Sequence, residues 1–481
     1  MLTLALVVAL VTQDATPLRS DARETAARQT QLYAGDWLEV RGERQGWLSV
    51  YDHRHERPGY VRPAQVRSYA VAESSARDLA AVIDFVRDTP GQEALGIGYA
   101  ALFLRAAPAN AVGGELFDAL GVMAERLGRR ASSRWARPSD ATLAAQLDVA
   151  ASYGVKYASF EENGRTRVCY DGEAFRRVLA LPSPAAAKAR AALGLTAPEC
   201  VDPALAATAR ETLVAWQADV LAKADPAAPG LPAWLANKLH IRRASVQAEL
   251  AYARARRHGD TADDKGAASA AAEAVRELAL VDKVELADDD ALAYDEAAVR
   301  VGGVRAAAEA PRPSGKALAV AFVAGKPGET CVQVAQAGRV LFAHCTYAVV
   351  WPASLKLSPR GDALTVAQSP LPGWTELVLI RRNAAGWSAR PLAPAAVDPE
   401  LGYVEAAGWS PDGSRLLVAR EARMTGPLGQ PGTLAPWIAR SFQILRAEDL
   451  VVEKQAAHLD NFVSFRRWAA PDWQRTTVAL R

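Results

Sequence analysis

Long apolar runs, cysteine, net charge and the short motifs that announce a chemistry are all scarce in this chain. Apart from its start, no stretch of the 481 residues approaches the apolar length of a membrane-spanning helix. There is no GxSxG nucleophile elbow, HExxH zinc motif, Walker phosphate loop or dinucleotide fingerprint, and Gly96-x-Gly98 sits inside an apolar helical pattern. The recognisable forms of those chemistries are therefore excluded; a triad defined by geometry rather than order is not. The 56 Lys and Arg against 54 Asp and Glu leave a charge of +2. That field is too weak to draw the chain to nucleic acid, so no such partner is expected. Arg outnumbers Lys more than fourfold, and Arg126, Arg129, Arg130, Arg134 and Arg137 read as a solvated helix end, where cations complement the dipole.

The four cysteines show no CxxC spacing, and no metal or cofactor is expected. They fall in two close pairs, Cys169 with Cys200 and Cys331 with Cys345. Of three connectivities, the sequential one needs only local contacts and suits an exported protein; the other reading is four buried free thiols.

What is present begins with Leu2 to Val11, an apolar run of the length of a signal-peptide core and too short to span a bilayer. Residues 1–13 are expected to be a signal peptide, which places the protein in the periplasm or outside the cell with no transmembrane anchor after cleavage. Met1 is not followed by Lys or Arg, however, and VTQDAT offers no small-x-small cleavage site. The other reading is an apolar first strand.

Over residues 14–70, Trp37 to Val40 and Trp47 to Tyr51 alternate large apolar with polar side chains, the period of half-buried strands. GERQG supplies a tight turn, DHRHERPG a polar connection, and GYVRP a returning strand, which predicts a small barrel. The Ala-Gly-Asp turn before Trp37-Leu38, Gly46-Trp47 entering a strand and the Gly59-Tyr60-Val61 triplet together resemble a bacterial SH3 domain (SH3b). TPLRSDARETA stands where that family opens with Asn-Val-Arg. A barrel this small cannot bury Tyr33, Trp37, Trp47, Tyr51 and Tyr60 together. The resemblance implies a groove of such aromatics for peptide or peptidoglycan stems; the alternative is that Trp47 and Tyr60 are mainly core.

From Ser74 the period changes to 3.6. Leu79, Val82, Ile83 and Val86 share one face, as do Leu116, Leu120, Met123 and Leu127; Leu143 and Leu147 follow, then Leu205, Ala209, Leu213, Trp216 and Val220, and a long pattern from Pro232 to about His258. Residues 71–290 are expected to form an Ala-rich helical domain. Beyond them, over 291–481, RPSGKALAVAF, SPRGDALTVAQ, SPDGSRLLVAR and APDWQRTTVAL align on Pro313, Pro359, Pro411 and Pro471. Each reads as a turn launching an alternating strand, a repeat that suggests propeller blades or a sandwich. Trp409 to Gly413 resembles the signature of TolB-like, Trp-Asp-related propellers.

Other candidate chemistry is thin. His53 and His55 supply two potential metal ligands with no third, and His344 beside Cys345 points to the opposite face of a strand. Asp288, Asp289, Asp290, Asp295 and Glu296 read as a solvated boundary, because a calcium loop would need a glycine turn that DDDALAYDE lacks. Cys169 in RVCYDGEAF lacks the Asp-Cys-Ser context of the cell-wall peptidases that accompany SH3b modules. The expectation is a multidomain α+β protein: SH3-like barrel, Ala-rich helical domain and C-terminal β-repeat domain. It binds or scaffolds without catalysis in the bacterial envelope, the barrel contacting peptide or peptidoglycan and the repeats a protein partner. The alternatives are an envelope hydrolase with its active site in the helical domain and a cytosolic interaction protein.

Overall fold

Apolar side chains every second residue, interrupted by turn residues, build the first sheet. The computed structural model describes residues 6–133, 140–162, 164–257, 264–310, 318–396, 400–425, 436–460 and 462–481. Leu2 to Ala5, Arg134, Arg137, His258 and Pro313, named in the expectations above, lie outside them. The chain is a multidomain α+β protein of two compact units, Met1–Ala206 with Val220–Leu235, and Ala207–Asp219 with Ala236–Arg481. The helices of residues 71–290 are distributed over both units.

In the first unit the strands are β1 (Val7–Val11), β2 (Thr16–Arg19), β3 (Arg28–Leu32), β4 (Trp37–Arg44), β5 (Trp47–Asp52), β6 (Arg57–Val61) and β7 (Val66–Ala70), hydrogen-bonded in the order β3-β2-β6-β5-β4-β1-β7. Val7 to Val11, expected as part of a leader, is thus a strand between β4 and β7. Its apolar character has a structural cause: Ala9 and Val11 face a core of Leu18, Leu32, Leu38, Val50 and Val61, while Val8 and Leu10 face the helices. A side chain at Gly35 would lie 2.3 Å from the Ala94 carbonyl oxygen, and its φ of +97° is left-handed, so the Ala-Gly-Asp turn requires glycine twice over.

The helices of this unit are α1 (Ala76–Arg87), α2 (Glu93–Ala106), α3 (Gly114–Ala131) and α4 (Ala141–Ser152), then the hairpin β8 (Tyr157–Glu162) and β9 (Arg165–Tyr170), then α5 (Glu173–Ala180) and α6 (Ala185–Leu195). The predicted faces of α1 and α3 are those that bury Leu79, Ile83, Val86, Leu116, Met123 and Leu127. The hairpin interrupts the expected all-helical stretch, and its Cys169 is bonded to Cys200. Arg126 and Arg130 are not idle cations at a helix end. Glu93 is fully buried and accepts from Arg126 Nε at 2.7 Å, from Arg130 and from the Gly91 N–H at 3.0 Å; Arg129 alone is an exposed partner of Glu125.

Helix α7 (Ala207–Ala222) crosses the division. Its predicted stripe is partly wrong: Val214 and Val220 are buried and Trp216 is exposed. Helix α8 (Ala233–Arg256) lies in the second unit from Ala236 on, and with α9 (Asp264–Ala279) and α10 (Ala291–Val304) it precedes the strands β10 (Ala319–Ala324), β11 (Thr330–Gln336) and β12 (Arg339–Thr346), which form their own antiparallel sheet. Two four-stranded antiparallel meanders follow: β13 (Val349–Leu357), β14 (Ala363–Leu371), β15 (Trp374–Asn383) and β16 (Gly386–Leu392), then β17 (Gly402–Trp409), β18 (Arg415–Met424), β19 (Trp437–Arg446) and β20 (Val452–Ala456). A short parallel pairing at Trp374↔Gly402 and Thr375↔Tyr403 joins them.

Of the three copies that fall among the described residues, two share one turn. In SPRG and SPDG alike, the glycine N–H donates to the serine carbonyl (Gly361 to Ser358, 3.0 Å; Gly413 to Ser410, 2.9 Å) and the serine N–H donates to the carbonyl five residues on. Both serine hydroxyls accept from the N–H of that same residue, Ala363 at 3.1 Å and Arg415 at 2.9 Å. The fourth copy departs: Pro471 opens a helix, α12 (Pro471–Thr476), which follows α11 (Val463–Trp468). Proline fits the first turn of a helix as well as it fits a β-turn, so APDWQR alone does not distinguish them.

Candidate functional site

Period two along β4, β5 and β6 sends Leu38, Val40, Leu48, Val50 and Val61 inward and leaves Trp47, Tyr51 and Tyr60 on the outer face. Three of the five predicted aromatics therefore share one surface. Trp37 is elsewhere: it sits opposite Leu10 and packs against the helical core, with the Arg105 guanidinium of α2 4.2 Å from its ring centre. Tyr33 lies in the turn after β3, its N–H donated to Asp36 at 2.8 Å and its hydroxyl contacted by the Gln31 amide.

The outer-face rings are covered by cations. The Arg62 guanidinium lies 4.0 Å from the centre of Trp47, which is buried beneath it, and Arg41 lies 4.1 Å from the centre of Tyr51. Arg44 donates to the Tyr60 phenol, and that bond holds the Arg44 guanidinium above its usual pKa. Acidic side chains position these cations in turn: Glu24 accepts from Arg62 at 2.8 Å, Glu39 from Arg41 at 3.3 Å, and Asp21 lies 3.5 Å from Arg44. His53 stands edge-on to Tyr51 and 2.7 Å from Glu39, and that hydrogen bond, with the one from Arg41, holds the Glu39 carboxyl below its usual range. This surface presents guanidinium donors over aromatic faces, an arrangement suited to carboxylate-bearing peptides. Sequence reasoning missed Arg41, Arg44 and Arg62. The signal was there for Arg62, which follows Tyr60 at the two-residue period of an extended chain and so falls on its side.

His53 and His55 do not converge. His55 instead faces Asp52 at 2.5 Å, and Asp52 also accepts from the N–H groups of Arg54 and His55. The acidic run is solvated only in part: Asp288 and Asp289 are exposed, but Asp290 is buried and paired with Lys238, Asp295 is paired with Arg481 at 3.1 Å and Glu296 with Arg423 at 3.1 Å. All four cysteines are bonded, Cys169 with Cys200 and Cys331 with Cys345, in the sequential connectivity. Glu329 brings a carboxylate oxygen to within 4.8 Å of both sulfurs of the second pair.

Two cavities stand out in the second unit, and neither is lined by residues of 71–290, the alternative location for an active site. One, of about 30 Å³, lies among Arg305, Lys356, Glu405 and Asp472. Its charges are paired with one another, Arg305 with Glu405 at 2.8 Å and Lys356 with Asp472 at 3.5 Å, and its volume is that of about one or two waters. The other is an open cleft of about 380 Å³ walled by Leu355, Leu357, Pro359, Trp409 and Trp468. No helix among the described residues is long and apolar enough to cross a membrane. Compared with protein-family models, curated proteins and solved structures, the chain matches none.

Proposed function

We propose that the chain is a non-catalytic binding protein of the bacterial envelope, periplasmic or secreted, whose SH3b-like barrel grips peptide or peptidoglycan stems on the outer face of β4–β6. The observation that carries this reading is the stacking of Arg62 on Trp47 and Arg41 on Tyr51, with Arg44 on the Tyr60 phenol. Guanidinium groups held over rings by Glu24 and Glu39 are ordered before a ligand arrives, which lowers the entropy cost of binding. Stem peptides end in carboxylates, which guanidinium groups take in bidentate fashion. Two disulfides suit an oxidising compartment. The propeller-like meanders β13–β16 and β17–β20 supply a second surface, for a protein partner.

Cosedimentation of the full chain with purified sacculi tests the proposal. Wild-type protein is expected in the pellet at low salt and progressively less so as salt screens the guanidinium contacts. An Arg41→Ala/Tyr51→Ala variant with an unchanged melting temperature is expected to bind at least tenfold more weakly. Equal pelleting of both proteins, or of neither, contradicts the assignment.

A further inference from the structure

Away from the barrel, the hairpin end of β11 gathers metal donors that the disulfide conceals. Glu329, at the residue before β11, and Cys331 are two residues apart and so share one face of the strand. The register Cys331↔Cys345 sets the second sulfur directly across on β12. One carboxylate oxygen and both sulfurs lie within 4.8 Å of one another. The carboxylate is not adrift: the Lys326 N–H donates to Glu329 Oε2 at 3.0 Å, and the turn is closed by Glu329 N–H to the Lys326 carbonyl at 2.8 Å and Gly325 N–H to the Glu329 carbonyl at 2.9 Å. Cys331 is buried and Cys345 exposed, so one sulfur is anchored in the sheet while the other is open to reductant and metal from solvent.

We infer that Glu329, Cys331 and Cys345 form a binding site for a thiophilic divalent cation of the zinc class when the Cys331–Cys345 disulfide is reduced. Two thiolates and one carboxylate are a soft-leaning donor set that favours zinc over calcium or magnesium, with water completing a tetrahedron. Zinc–sulfur bonds of about 2.3 Å and zinc–oxygen bonds of about 2.1 Å place tetrahedral donors about 3.5 to 3.8 Å apart. The existing cluster reaches that spacing once the sulfurs are no longer joined. A phosphine reductant attacks the exposed Cys345 sulfur and breaks the S–S bond; the phosphine leaves as its oxide, taking oxygen from water, and the sulfurs gain two electrons and two protons. Metal binding then displaces both thiol protons, so it weakens as pH falls. The disulfide state excludes the metal, and the hairpin exchanges one crosslink for another without changing its register.

Cobalt(II) is the probe. The full chain is reduced with a phosphine, freed of reductant and titrated with Co²⁺, then with Zn²⁺ in competition; circular dichroism monitors the fold. The inference predicts thiolate-to-cobalt charge-transfer absorption with tetrahedral d–d bands in the reduced protein and neither in the oxidised one. The signal is expected to vanish in Cys331→Ser/Cys345→Ser, which keeps Cys169 and Cys200, and Glu329→Gln is expected to bind Zn²⁺ at least tenfold more weakly. Three results overturn it: no thiolate–cobalt band in the reduced chain, folded or not; a band undiminished in Cys331→Ser/Cys345→Ser; or unchanged Zn²⁺ affinity in Glu329→Gln.

Discussion

At the scale of single residues, two buried carboxylates in the first unit show how partner number decides the charge a core can hold. Burial raises the pKa of Glu93, but the Gly91 N–H, Arg126 and Arg130 outweigh it, and the carboxyl titrates below its ordinary 4.5. Asp118 is as well buried, yet its partner is Arg190, and desolvation wins: its pKa is raised above 3.8. The two act oppositely with pH. Because the folded pKa of Glu93 is depressed, its stabilisation is present above about pH 4.5 and is lost as pH falls through the lower folded value; Asp118, raised, favours the folded state less as pH climbs past 3.8. Glu93→Gln is expected to lower the urea-unfolding free energy by about 2 to 3 kcal/mol at neutral pH, less than a fully buried pair would lose because both arginines reach solvent. It should also flatten the loss of stability below pH 4.5. An unchanged urea midpoint contradicts this account.

Among elements, the two SPxG turns are the repeated unit that matters most. Gly361 and Gly413 have φ of 69° and 66°, and each donates back to its serine. Gly413→Ala forces an L residue into left-handed backbone and is expected to cost about 1 kcal/mol. Its thermal midpoint should fall, whereas Ala at Gly42, whose surroundings are open and whose φ lies outside the left-handed range, should leave it nearly unchanged. These turns were legible because Ser, Pro and Gly at fixed offsets have one economical conformation. Helices α1 and α3 were legible because a single apolar face meets a single core. The ambiguities have equally local causes. By composition Leu2 to Val11 suits a leader core and a strand alike, and the pairing of Val8 with Glu39 and Tyr69 makes Val7–Val11 the strand β1. In α7, apolar residues surround much of the helix, so periodicity could not choose Val214 over Trp216.

For the whole molecule, sequence periodicity located the change from β to α to β, yet the contact division into two units was not legible, since it depends on which faces meet over long separations. The binding surface was legible in part. Alternation placed Trp47, Tyr51 and Tyr60 together, but Trp37 turned to the helices because Val8 and Leu10 of β1 draw that end of β4 into their core. The guanidinium caps needed the strand register, which no composition reveals. The central claim, that the outer face of β4–β6 is the surface that binds peptidoglycan stems, is tested most directly by hydrogen exchange of the full chain with and without a saturating soluble stem peptide. The account predicts slowed exchange across residues 37–62 and little change in α1–α6. Unaltered exchange over 37–62, with protection appearing elsewhere or nowhere, contradicts it.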